Sequence, residues 1–206
     1  GSATNAIYQI KGVESSDTLD LFPLGNAGAT AVQQLALLAW KLESSQPVLI
    51  RVSVANHLLL EIAKLRLIRS WIPANTKIYV QNVTWNKTAT DAHNNLIRLT
   101  LEAISAVLGG CDYLELSPYD LFLETKDENA LRYSRNIQYL LKHESYLDKV
   151  ADPVAGSHSI EELMDSLQSA VSETVTRWKQ SQHPEEQLYQ EVNTSAEEKK
   201  KRFLEK

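Results

Sequence analysis

Short apolar segments rich in β-branched residues alternate with long amphipathic segments along most of this chain. The short segments have the length of strands, and the long ones repeat apolar residues at helical spacing. The predicted strands cover residues 19–24, 47–53, 77–81 and 112–116, and the predicted helices cover 29–42, 57–72, 91–108, 128–144 and 159–180. This alternation predicts an α/β fold in which right-handed crossovers join parallel strands.

The number of strands narrows the fold further. A complete (β/α)8 barrel takes roughly 250 residues and eight strands, whereas this chain has 206 residues and four clear strand patterns. We therefore predict a partial (β/α)8 TIM barrel, with about four parallel βα units followed by C-terminal helices. A bare half-barrel is expected to expose an apolar concave layer and to self-associate or bind other barrel strands. The candidates for that layer are Leu49, Val52, Ile78, Val80 and Leu114.

Composition divides the chain into three parts and excludes some classes of protein. Residues 1–17 are interpreted as a tag and N-terminal extension, residues 18–181 as the half-barrel, and residues 182–206 as a charged helical tail or linker. The net charge of −5 argues against a nucleic-acid partner, which usually selects a basic face. No run reaches the ~18 apolar residues of a membrane span, so no membrane association is expected. The absence of a signal peptide favours a cytoplasmic protein.

Few residues have the pattern of a reactive site. The single cysteine, Cys111, cannot form an internal disulfide and suits a reducing compartment. It is interpreted as a small buried hydrophobe rather than as a reactive thiol. Glu61 and Lys64 have the spacing of an ion pair on a helix surface. The five histidines are scattered without metal-ligand spacing, so no metal site is predicted.

Three stretches, each weak alone, together resemble one family. They read HLLLEIAKLRLIR from His57, KIYVQNVTWNKTATDAHNN from Lys77 and LRYSRNIQYLLKHESYLDKVADPVAGS from Leu131. The set resembles the substrate-binding barrel of the methylmalonyl-CoA mutase family. The PYD and ESYLDKV segments are most similar to that family's small, non-catalytic subunit. The resemblance implies a complete enzyme that interconverts methylmalonyl-CoA and succinyl-CoA with an adenosylcobalamin-derived radical.

The same resemblance implies that two reactive positions are degenerate. One active-site histidine of the family falls on Pro23 and another on Tyr79, which are expected at the ends of neighbouring strands facing one concavity. Proline has no nitrogen to hold a thioester carbonyl, and a phenol with a pKa of about 10 replaces imidazole poorly. No catalytic residue is therefore expected to be intact.

Three positions remain candidates for binding substrate. Gln81 falls on a family glutamine, and Tyr79 lies two residues before it. The alternative is that both side chains only plug the barrel mouth. Asp112 replaces a family glutamine that faces substrate, although a carboxylate there would repel a dicarboxylate-derived acyl-CoA.

A cobalamin-like sequence is interpreted differently. Asp91-Ala92-His93 matches the start of a cobalt-binding motif, but Leu96 stands where that motif needs glycine. Asp91 is therefore predicted to be a helix N-cap. No cofactor is assigned to this chain, and adenosylcobalamin is expected in a partner or in the complete enzyme.

The resemblance implies a supporting role. We interpret the chain as part of a small subunit, inactive alone, that forms a heterodimer with a large catalytic subunit and binds acyl-CoA weakly if at all. Two alternatives stay open. One is a fragment of an active acyl-CoA mutase in which Tyr79 and Gln81 hold a different acyl group. The other is an interaction module that reuses the barrel scaffold.

Overall fold

The computed structural model describes residues 17–204, so all of the predicted tag and extension except Asp17 lies outside the described residues. The strands are β1 (Thr18–Asp20), β2 (Leu49–Val54), β3 (Lys77–Asn82) and β4 (Tyr113–Glu115). The helices are α1 (Phe22–Asn26), α2 (Ala31–Leu42), α3 (Leu58–Trp71), α4 (Asn94–Leu108), α5 (Ala130–His143), α6 (His158–Gln180) and α7 (Pro184–Leu204).

The four strands form one parallel sheet in the order β1-β2-β3-β4. This arrangement confirms the predicted α/β fold with parallel strands, and it matches part of a (β/α)8 barrel. Within the described residues, β1 and β4 each pair with one strand only. The sheet therefore has two free edges, which a closed barrel would not have.

One face of the sheet carries the main hydrophobic core. Ile50, Val52, Val54, Ile78 and Val80 are fully buried in a cluster with residues of α2, α3 and α6. The prediction that an exposed layer would contain Val52, Ile78 and Val80 is wrong, because helices of this chain cover them. The other two predicted members are also shielded, since Leu49 is buried and Leu114 packs half-buried against the core.

The opposite face of the sheet is polar. Because side chains alternate along a strand, Arg51 of β2 and Tyr79 and Gln81 of β3 lie on the side away from the buried valines and isoleucines. Asp20 of β1 and Glu115 of β4 stand in register with this row. We call these five residues the open face.

The first apolar run changes conformation partway along. Residues 19–24 were predicted to be a strand, but β1 ends at Asp20 and α1 begins at Phe22. The Asp20 carboxylate accepts a hydrogen bond from the Phe22 amide at 3.0 Å. Pro23 lies in the first turn of α1, where its fixed φ and missing N–H suit a helix start.

The C-terminal segment packs onto the rest of the structure. Helix α7 lies within residues 182–206, which were predicted to be a helical tail or linker. Its Leu188 and Val192 are buried in the same cluster as the sheet. Neither α7 nor any other helix of residues 17–204 is long and apolar enough to cross a lipid bilayer.

We expect the purified chain to sediment at micromolar concentration as a species larger than a monomer. The expectation depends on the edges of β1 and β4, which pair with no further strand in residues 17–204 and so offer main-chain donors and acceptors. The apolar layer predicted from the sequence is covered and no longer supports it. The variant Tyr113→Lys places a charge on the β4 edge and should shift the distribution towards monomer. Tyr189→Lys on α7 is the control, since Tyr189 is 66% exposed and Tyr113 is 40% exposed. A wild-type chain that sediments only as a monomer would contradict the expectation.

Candidate functional site

A cavity of about 510 Å³ lies at the carboxyl edge of the sheet. Its walls come from the segments that follow β1, β2 and β3, including Gly25, Ala29, Asn56, His57, Trp85 and Asn86. In parallel α/β folds, the residues just beyond the carboxyl ends of the strands carry the function. The position of this cavity makes it the candidate functional site.

A buried carboxylate lines one wall of the cavity. Glu61 and Lys64 form the ion pair that their spacing predicted, but the predicted surface position is wrong, because Glu61 is only 6% exposed and Lys64 only 1% exposed. Lys64 Nζ donates to the Ser53 carbonyl at 2.7 Å and forms an ion pair with Glu61 Oε2. That contact lacks hydrogen-bond alignment, so Glu61 Oε2 is the one buried side-chain polar atom without a hydrogen-bond partner in residues 17–204.

The loop after β3 is held by a second buried ion pair. Lys87 and Glu102 have fully buried side chains, and Lys87 Nζ donates to both Glu102 oxygens at 2.8 and 2.7 Å. Asn86 completes the cluster, since it donates to Glu102 and accepts from Lys87, both at 2.7 Å. Burial lowers the pKa of Lys87 and raises the pKa of Glu102, while their mutual attraction opposes both shifts. The loop after β3 is therefore a packed part of the cavity wall.

Helix α7 supplies a cation to the same cavity. Lys199 Nζ donates to the carbonyls of Gly28 and Ala29 at 2.8 and 3.0 Å. It also lies 5.0 Å from the centroid of the Trp85 ring. Burial lowers the pKa of Lys199, and the Glu61 carboxylate partly offsets that shift.

The sequence-predicted residues Tyr79 and Gln81 lie on the open face. The Tyr79 hydroxyl donates to the Glu115 carboxylate, and Gln81 Oε1 accepts from Arg51. Burial raises the pKa of Tyr79, and the bond to Glu115 raises it further. Arg51 also pairs with Asp20 at 3.1 Å. The structure therefore places Tyr79 and Gln81 on one face of the sheet, with Tyr79 bonded to Glu115 and Gln81 bonded to Arg51.

The resemblance suggested that Pro23 and Tyr79 lie at the ends of neighbouring strands, and this expectation is wrong. Pro23 follows β1, and β2 lies between β1 and β3. Tyr79 is the third residue of β3 rather than its last. Arg51 bridges the gap, because its guanidinium carbon lies 4.5 Å from the Phe22 ring centroid and 5.8 Å from that of Tyr79.

Asp112 lies apart from the other predicted binding residues, at the amino end of β3 and β4. Its carboxylate accepts from Arg69, from Lys77 Nζ at 3.0 Å and from the Ile78 amide at 2.9 Å. Partial burial would raise the pKa of Asp112, but these hydrogen bonds outweigh burial and lower it. The structure gives Asp112 the contacts of an ion-pair network that ties β4 to β3 and α3.

The cobalamin-like segment forms the turn that leads into α4. Asp91 is not the N-cap of α4, which was the prediction; His93 holds that position, and Asp91 instead accepts from the Asn94 side chain at 2.8 Å. The His93 ring stacks on Tyr119 with 5.2 Å between centroids. Residues 17–204 contain no group of three or more His, Cys, Asp or Glu side chains arranged to hold a metal ion.

Sequence reasoning missed Arg51 of the open face and Lys199 of the cavity, and it placed Glu61 on the surface. Arg51 interrupts an apolar strand, and Glu61 stands within the apolar stripe of α3, so both carried a signal: a charge in a segment that must be buried. Lys199 carried none, because it is one of several cations in the charged tail.

Replacing Lys87 with methionine should destabilise the fold by about 3–5 kcal/mol, because it leaves the Glu102 carboxylate buried without its ion partner. Urea unfolding measures the change, and Lys200→Met on the surface of α7 is the matched control. Adding Glu102→Leu to Lys87→Met should restore part of the loss. A loss below about 1 kcal/mol for the single variant would show that the pair does not hold this loop.

Comparison with known proteins agrees with the architecture. The family model described as methylmalonyl-CoA mutase matches residues 48–181. The methylmalonyl-CoA mutase small subunit of Porphyromonas gingivalis is 35% identical over 174 residues, which cover 70% of this chain and 28% of that relative.

Two further relatives match shorter stretches. The methylmalonyl-CoA mutase of Escherichia coli is 37% identical over 91 residues, which cover 44% of this chain and 13% of the relative. The mitochondrial methylmalonyl-CoA mutase of Bos taurus is 34% identical over 131 residues, which cover 57% of this chain and 18% of the relative. The chain thus spans less than a third of the length of each of these three relatives. On the strength of the family match, the chain belongs to the methylmalonyl-CoA mutase family.

Proposed function

We propose that this chain is part of the small subunit of a methylmalonyl-CoA mutase and that it supports a large catalytic subunit without taking part in the chemistry. The observation that carries the proposal is the hydrogen bond from Tyr79 to Glu115 on the open face. By resemblance, Tyr79 stands where catalytic members have an active-site histidine.

The protonation of Tyr79 argues against a catalytic role. Burial and the neighbouring Glu115 carboxylate raise its pKa, so the phenol keeps its proton at neutral pH. The hydroxyl is the only side-chain donor of Tyr79, and it already donates to Glu115. A phenol also has no basic ring nitrogen like that of imidazole. General acid–base work needs a group whose pKa lies near the operating pH, and Tyr79 lies far from that condition.

The rest of the open face supports the same view. The Gln81 carbonyl oxygen is occupied by Arg51, and Arg51 is also paired with Asp20. A substrate acyl group would have to break these contacts before it could bind. Weak binding of an acyl-CoA, or none, follows from this competition.

The proposed partner follows from the family and from the sheet edges. A relative that matches most of this chain is named a small subunit. In the proposal, residues 18–181 form the half-barrel, helix α7 packs onto it, and the edges of β1 and β4 face other barrel strands of the mutase. Adenosylcobalamin and methylmalonyl-CoA belong to the complete enzyme.

A cytoplasmic location suits the lone thiol, because burial raises the pKa of Cys111 to about 12 and keeps it unreactive.

The proposal is tested with the chain assembled with a mutase large subunit. Wild type and Tyr79→Phe should give complexes with the same kcat and KM to within about twofold, because the phenol does no chemistry. Co-sedimentation measures assembly, and a coupled assay of succinyl-CoA formation measures turnover.

Two results would overturn the proposal. If the chain does not assemble with a mutase subunit, the interaction-module alternative is favoured. If Tyr79→Phe assembles normally but loses on the order of 10²-fold in kcat, the scale of a lost acid–base group, the chain is part of an active mutase. The matched control is Tyr189→Phe on α7, which removes the same atom from a side chain that is 66% exposed.

Titrating the chain alone with adenosylcobalamin should leave the visible spectrum of the cofactor unchanged. The reason is local: His93 is stacked on Tyr119, and Leu96 lies in α4 where a corrin-binding loop needs glycine. Calorimetry in the same titration measures binding that leaves no spectral trace. A histidine-ligated spectrum that His93→Ala abolishes would contradict the prediction.

A further inference from the structure

Helix α7 meets the end of the segment between β1 and α2, and the first turn of α2, at three successive points. Ser195 Oγ accepts from the Gln33 side chain at 3.1 Å, and Ala196 packs on Gly28. Lys199 then reaches the carbonyls of Gly28 and Ala29. These contacts place one face of α7 over the rim of the cavity.

The contact at Gly28 requires glycine for two reasons. Its φ of +111° lies in the region that other residues rarely adopt. A Cβ at this position would lie 2.8 Å from the Cβ of Ala196, too close for two carbon atoms. The close approach leaves the Gly28 carbonyl accessible to Lys199 Nζ.

Four electron-rich groups surround Lys199 Nζ, and the Lys64 ammonium is the one cation that opposes them. Two are the main-chain carbonyl oxygens of Gly28 and Ala29, and a third is the face of the Trp85 ring. The fourth is the Glu61 carboxylate, which lines the same cavity and attracts the Lys199 charge. Carbonyls, a carboxylate and an indole face are together the environment that binds an ammonium group.

Glu61 gives an independent sign that this wall favours a cation. Its Oε2 atom is buried and has no hydrogen-bond partner, although Lys64 lies beside it. Lys64 compensates the Glu61 charge and also donates to the Ser53 carbonyl, and its own charge repels Lys199. The Glu61 carboxylate attracts Lys199 more strongly than Lys64 repels it, so this wall still favours a cation.

We infer that the carboxyl edge of the sheet contains a binding pocket for a primary ammonium group, that Lys199 fills this pocket, and that the contact fastens α7 over the cavity. The inference does not depend on the proposed function. Lys199, Gly28 and Ala29 all lie outside residues 48–181, the part matched by the family model. The pocket thus joins two segments that flank the family region. When Lys199 is absent, the ligand class it accepts is a primary alkylammonium ion.

Chemical rescue of Lys199→Ala tests the inference. Hydrogen exchange of the α7 amides around residue 199 should speed up roughly tenfold or more, the scale expected when charged hydrogen bonds are lost. n-Propylammonium chloride replaces the missing atoms and should restore most of the protection. 1-Propanol lacks the charge and tetramethylammonium chloride lacks the N–H donors, so neither should restore it. Lys200→Ala, at an exposed neighbouring position, should exchange like wild type throughout.

Each outcome bears on one part of the inference. Unchanged exchange in Lys199→Ala would overturn the fastening role of Lys199. Faster exchange that n-propylammonium does not slow, or that tetramethylammonium slows equally, would overturn the ammonium pocket. If Lys199→Ala does not fold, Lys199→Met keeps the aliphatic stem, and its exchange decides the fastening role. Removing the carboxylate with Glu61→Gln in the Lys199→Ala background should weaken the rescue, which separates the pocket from a general salt effect.

Discussion

The buried ion pair between Lys87 and Glu102 is the interaction on which the carboxyl edge of this protein depends. Both side chains are removed from water, and Asn86 hydrogen-bonds to both. A pair of this kind contributes little net stability compared with apolar packing, but it allows only one arrangement of the groups that make it. That arrangement sets the path of the chain after β3 and places Trp85 at the cavity wall. The contact between Trp85 and Lys199 follows from it.

The two faces of the sheet have different roles. One face is apolar and is covered by α2, α3 and α6, so it provides the core that holds the four strands together. The open face carries Asp20, Arg51, Gln81, Tyr79 and Glu115, whose charges and hydrogen bonds satisfy one another. These mutual contacts leave few groups on the open face ready to bind a substrate, and the proposal of a supporting role depends on them rather than on the absence of any single histidine.

The cavity and the open face are separate features, and they lead to separate proposals. The open face carries Tyr79 and Gln81, which by resemblance fall on a histidine and a glutamine of the family. The cavity is closed by α7, and its cation comes from a segment outside the family match. Gly28 follows α1, and its φ of +111° lets Ala196 of α7 approach the main chain there.

The sequence by itself determined the fold class and the family. Strands and helices have different repeats, and those repeats are local, so β2, β3, α3 and α6 could be predicted to within one or two residues. The end of β1 could not, because the apolar run across residues 19–24 suits a strand and a helix equally, and the Asp20 contact with the Phe22 amide decides the change.

Only the tertiary structure decided the environment of the charges. Glu61 and Lys64 have the spacing of a surface pair on any isolated helix, and they are buried because α3 packs with its charged side against the β2 carboxyl end. The role of Lys199 depends on a contact with Gly28 across 171 positions of the chain, and no local pattern carries information over that separation.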